Sequence, residues 1–86
     1  MEDLTKLPNI GPILAEKLNQ IGVHKFDELI ELGSIESFIR VRQLDELACY
    51  NMLYALEGAV RGLRWHAIPK EDREKLKAEF NSQVEK

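Results

Sequence analysis

The sequence predicts an all-α protein: a compact domain of five to six helices built around one core. Three observations carry that reading. Apolar residues recur at three- and four-residue spacing along most of the chain, and no segment shows the alternation of a half-buried strand. Gly22 and Gly33 fall at the ends of periodic segments, and Pro12 and Pro69 at the starts of others. With 86 residues, 44% of them hydrophobic and 31% charged, the chain suffices for a single small soluble domain, residues 1–86.

The elements follow in order. Residues 1–6 hold at most a turn or two of helix. Pro12 suits the first position of a helix, where its fixed φ is favourable and its missing N–H costs no internal bond. Leu14, Leu18 and Ile21 then recur at i, i+4 and i+7 beside Ala15, and Gly22 ends the helix. A second helix runs from Phe26 to Leu32, with Asp27 and Glu28 in the first turn, where the dipole favours negative charge. Gly33 closes it. Ser34 is read as the cap of a third helix that turns Ile35, Phe38 and Ile39 inward.

Asp45 is read as the cap of the longest helix, about Glu46 to Leu63. Its apolar stripe is Cys49, Met52, Leu53, Leu56, Val60 and Leu63. Ala48, Ala55, Ala59 and Gly62 make an adjacent stripe of small residues, which allows close helix approach. Gly58 and Gly62 share the G-x-x-x-G spacing of membrane helix pairs. Glu57 and Arg61 argue instead for tight packing in a soluble core. Trp65 to Pro69 is a connector, and Pro69 opens a final helix that can dock through Leu76 and Phe80, with Val84 available as a third contact. Its charged end is expected to fray, leaving an ordered core of about residues 3–81.

Charge and composition exclude several functions. A formal charge of −3 and a pI near 5.4 leave room for a local basic patch but not for a generally basic surface. One cysteine cannot close an internal disulfide, and with two histidines it cannot complete a structural zinc site. Cys49 itself reads as a small buried hydrophobe. No Ser–His–Asp, Cys–His or metal-ligating pattern is present, so the expectation is a protein without catalysis, metal, cofactor or small-molecule substrate. No apolar run approaches the roughly 20 residues of a membrane span. With no signal peptide evident, the expected compartment is the cytoplasm.

The most informative stretch is Leu7-Pro8-Asn9-Ile10-Gly11-Pro12, followed by Ala15, Leu18 and Gly22-Val23. It resembles a helix-hairpin-helix motif, of the SAM/HhH type. The resemblance implies that backbone N–H groups of the hairpin meet a DNA phosphate without reading bases. A helix N-terminus has unpaired N–H groups and a positive dipole end, so an anion is favoured there. The candidate phosphate-binding residues are Asn9, Ile10, Gly11, Ile13 and Lys17. Asn9 stands where the first hairpin glycine is usual, and asparagine tolerates the left-handed backbone. Ile13 stands where many DNA-binding members place a basic residue.

A wider resemblance covers about Leu4 to Phe80. The opening Leu-Pro-Asn-Ile-Gly, the stretch Phe38 to Arg42, the block Asn51 to Gly62 and Trp65 to Pro69 together resemble the C-terminal domain of the TfoX/Sxy competence regulators. In full-length regulators of that family this domain follows an N-terminal one, and the whole is implicated in switching on DNA-uptake genes with a transcription factor.

Two further surfaces are candidates. Arg40, Arg42, Arg61 and Arg64 form a basic patch if the helix ends bring them together; Glu36, Asp45, Glu46 and Glu57 are available to neutralise it. Tyr50, Tyr54, Trp65 and His66 can form an interaction surface, since tyrosine and tryptophan suit half-buried interfaces. The resulting expectation is an accessory module of transcription or competence regulation that binds DNA weakly and without sequence preference, or binds a regulator protein. The alternative is a protein-interaction or self-association domain, a homodimer included, whose hairpin is purely structural.

Overall fold

In the computed structural model, residues 4–84 are described, and they form five α-helices and two single 3-10 turns. A 3-10 turn at Leu4–Lys6 precedes α1 (Pro12–Gln20), α2 (Phe26–Leu32), α3 (Ser34–Leu44) and α4 (Tyr50–Arg61). A second 3-10 turn at Trp65–Ala67 leads into α5 (Lys70–Val84). The first half of the expected opening turn, residues 1–3, lies outside the described residues. Among the described residues there is no strand. The all-α expectation therefore holds, with the helix number at the lower end of the expected range.

Helix α1 buries Leu14, Ala15 and Leu18. Its end is a Schellman arrangement: Val23 N–H donates to Leu18 O at 2.8 Å and Gly22 N–H to Asn19 O at 3.1 Å. Gly22 takes φ 92°, and Val23 is drawn into the core behind it. Helix α2 starts where expected because Glu28 Oε1 accepts from the backbone N–H groups of His24 and Lys25, at 2.9 and 3.0 Å. The same bonds hold the Glu28 carboxyl below its ordinary range, the His24 amide contributing most.

Helices α3 and α4 form the principal helix pair. Phe38, Val41, Leu53 and Leu56 are fully buried between and around them, with Leu18 and Leu29. Helix α5 closes the core with Leu76 and Phe80. Phe80 lies 4.9 Å from Phe38, ring centre to ring centre, and meets Tyr50 edge-on at 6.0 Å.

Several details of the sequence reading are corrected. Helix α4 begins at Tyr50, not Glu46, and at 12 residues it is shorter than the 15-residue α5. Asp45 does not cap it. Its Oδ1 accepts from Leu47 N–H at 3.0 Å, and Ala48 N–H returns to Asp45 O at 3.1 Å, so the side chain supports a separate turn. That turn leaves Cys49 at the cap position of α4 and exposed, not on a buried stripe. Ser34 is the first residue of α3, not its cap; it is buried and donates to Glu57 Oε1 at 2.6 Å, tying α3 to α4. At the C-terminus α5 continues to Val84, past the expected core limit, though Val84 itself is 49% exposed and does not dock.

Candidate functional site

The turn before α1 is held from inside by Asn9. This residue has φ 70°, a left-handed conformation that asparagine tolerates better than other residues with side chains. Its amide then reaches across to the end of α4. Nδ2 donates to Leu63 O at 2.8 Å and to Ala55 O at 3.3 Å, while Oδ1 accepts from Trp65 N–H at 3.1 Å. Gly58 makes room for this clamp. A Cβ there would stand 2.5 Å from Asn9 Nδ2 and 2.6 Å from Leu63 O. Ile10, next in the chain, is buried and anchors the turn.

Gly11 stands apart from the other glycines. Gly22, Gly33 and Gly62 have positive φ, and Gly58 is packed tight. Gly11 has φ −93° and ψ −178°, open to any residue, and a Cβ at this position would meet nothing within 4 Å. No side chain caps α1, and among the described residues no acceptor receives the N–H of Gly11 or Ile13. The outer side of this turn is an open groove of about 640 Å³, lined by Thr5, Lys6, Gly11, Gly62 and Arg64 together with Leu7 to Ile10. Its charged side chains among the described residues are both cationic.

The other sequence candidates are spread over different surroundings. Lys17 Nζ lies 3.1 Å from Asp45 Oδ2, where it braces α1 against the turn after α3. This contact, reinforced by Leu47 N–H, holds the Asp45 carboxyl below its usual range. Ile13 projects outward, 74% exposed. Arg40 pairs with Glu36 on α3 at 2.9 Å. The Arg42 guanidinium lies over the rings of Phe80 and Phe38, at 5.5 and 5.9 Å. Arg61 bridges Asp72 and Glu57, at 2.9 and 2.7 Å, contacts that push its pKa up. Arg64 alone of the four lines the Gly11 groove.

Tyr50 belongs to the core edge: its hydroxyl donates to Asn81 Oδ1 at 3.0 Å, and Lys77 Nζ sits 4.8 Å from its ring centre. Tyr54, Trp65 and His66 form a stack. Trp65 lies 6.3 Å from Tyr54 at 23° and 4.1 Å from His66 at 30°. Arg73 of α5 places its guanidinium 5.8 Å from the Trp65 ring centre and 6.0 Å from that of Tyr54.

Lys6 was not among the sequence candidates. Its signal was simple adjacency, a cation directly before Leu7-Pro8. The placement of Arg64 beside Gly11 depends instead on the Asn9 bonds to Leu63 and Trp65, across 54 and 56 positions of sequence.

Comparison with known proteins gives the family. The sequence pattern of the TfoX C-terminal domain matches residues 1–80. The chain belongs to the TfoX C-terminal domain family. Protein Sxy of Escherichia coli (strain K12) is 33% identical over 75 residues, which cover 87% of this chain and 36% of that protein. The chain thus spans about a third of the length of this curated relative. Two crystal structures of Listeria monocytogenes proteins of unknown function share the fold, each at 41% identity. The triclinic form gives a TM-score of 0.87 over 94% of this chain and 92% of that one. The tetragonal form gives 0.85 over 93% and 98%. Among the described residues of this TfoX C-terminal domain, no helix is long and apolar enough to cross a membrane, and no group of His, Cys, Asp and Glu is placed to hold a metal.

Proposed function

We propose that this domain is a non-catalytic accessory of transcription and competence regulation in the cytoplasm, and that it meets the DNA backbone at the Gly11 turn without reading sequence. The observation that carries the reading is Gly11 itself. Neither its backbone angles nor its packing requires glycine, yet it sits where uncapped amides open toward solvent. A missing side chain there lets a phosphate reach the N–H groups directly. Lys6 and Arg64 supply counter-charge from the walls of the groove. Family membership and the relationship to Sxy support the regulatory setting.

The test is a salt titration of binding to duplex DNA. Two or three engaged phosphates give a slope of about −2 to −3 in log K against log salt. Gly11→Asp, which places a carboxylate at the amides, abolishes the binding. No binding at low salt would overturn the proposal.

A second reading is favoured by a different observation. Ile13, Leu44 and Leu47 are 74%, 54% and 91% exposed, and all three lie on segments joined by the Lys17–Asp45 contact. Exposed apolar side chains of this size suit a protein partner, either a regulator or a second copy. Sedimentation over a range of concentrations, with Leu47→Glu as control, distinguishes a self-associating domain from a monomer.

A further inference from the structure

Next to the groove lies a feature that phosphate contact alone does not use. The Tyr54–Trp65–His66 stack ends outward in the imidazole of His66, an exposed residue. Among the described residues Trp65 is the one ring that lies against His66. On the inner side, Arg73 holds the Tyr54 and Trp65 rings from α5. The stack is fixed relative to the groove: Asn9, inside the hairpin, accepts from the Trp65 backbone N–H. Arg64 lines the groove, and His66 is two residues further on, within about 7 Å along the chain.

We infer that the groove and the stack are one continuous site for single-stranded DNA, with a phosphate at the Gly11 amide and the adjoining unpaired base on the face of His66, backed by Trp65. The inference rests on the phosphate reading above and adds the class of strand. In a duplex the bases are stacked on one another, so an aromatic platform beside the backbone meets only sugar. An unpaired base is free to turn out and lie on a ring, and every base has a π-face to offer. Stacking of this kind tolerates any sequence, in keeping with a groove that presents amides and cations but no array of side chains aimed at base edges.

Trp65 is the only tryptophan of the chain, so its fluorescence reports on the platform directly. The experiment titrates the folded domain at low salt with a dT oligonucleotide of about 12 nucleotides, within the usual span of such sites, and separately with a blunt duplex. The expected result is a change in Trp65 emission with the single strand, tighter binding of that strand than of the duplex, and a loss of about 5- to 150-fold in single-strand affinity on His66→Ala, the usual range for one stacked base. Duplex affinity is unchanged in that variant, and circular dichroism verifies its fold. Equal affinity for both DNAs with unmoved emission overturns the single-strand inference and leaves the phosphate reading standing. A single-strand affinity that His66→Ala does not reduce overturns it too. Failure to bind either DNA overturns both readings together.

Discussion

The backbone N–H of Trp65 donates to Oδ1 of Asn9 at 3.1 Å, joining the hairpin before α1 to the turn after α4. With the two bonds from Asn9 Nδ2, one to Leu63 O past the end of α4 and one to Ala55 O within it, one side chain ties the hairpin to both the helix and the turn that follows it. Asn9→Ala removes all three bonds and forces alanine into a left-handed conformation, so it destabilises the fold by about 3–5 kcal/mol. Asn9→Gly also loses the bonds but accepts the conformation, and is milder by about 1 kcal/mol. Urea unfolding of the two variants measures the difference; equal losses would show that the backbone angle contributes nothing.

Gly58 is the packing counterpart of Asn9. Its added Cβ would meet the backbone oxygen of Leu63, which cannot swing aside as a side chain can. Gly58→Ala is therefore destabilising by about 1–3 kcal/mol, although alanine is the better helix former. A rise in thermal midpoint would contradict the close approach.

At Gly11 the opposite holds. Gly11→Ser fits the backbone, and its hydroxyl can accept from the free amides of the first turn, for a gain of about 0.5–1 kcal/mol. The same hydroxyl occupies the place of a phosphate, so duplex DNA binding falls several-fold. Stability and affinity measured on one preparation show whether the two move apart.

Lys6→Glu and Arg64→Glu reverse the two cations of the groove. Each lowers duplex affinity and makes the salt slope shallower by about one for each phosphate it no longer neutralises. Stability changes by no more than about 0.5 kcal/mol, since both are surface substitutions. Arg40→Glu, on a different face, leaves DNA binding nearly unchanged.

Asp45 links α1 to the turn before α4. Its folded-state pKa is depressed, chiefly by Lys17. The stabilisation is present above its unfolded pKa of about 4 and is lost as pH falls through the lower folded value. Thermal midpoints should fall as pH drops below about 4. Asp45→Asn removes its share of that slope while lowering stability at neutral pH; an unchanged acid slope would exclude this contact as a contributor.

Much of the fold was legible in sequence because its punctuation is local. The limits of α2 follow from acidic residues at one end and Gly33 at the other, and Leu76 and Phe80 identify the docking side of α5 by spacing alone. The start of α4 was misread because Asp45 has two uses that look alike in sequence, capping a helix or folding back on its own turn. Lys17 and Arg64 show the same limit at the candidate site. Each was visible as a cation, but its neighbour is set by tertiary contacts: Asp45 for one, the Gly11 groove for the other. The Asn9 clamp was beyond reach for the same reason, since its acceptors are backbone oxygens, which carry no sequence signature.

Helix α5 rests on the core through only two buried side chains, Leu76 and Phe80, and carries charge over most of its first ten residues. It is consequently the element that can lift away at least cost, ahead of the α3–α4 pair. Amide deuterium uptake along Lys70–Val84 should outpace that of α4, and each such opening would take Arg73 off the rings of Tyr54 and Trp65, so the tightness of the aromatic stack follows the docking of a helix that contributes none of its rings.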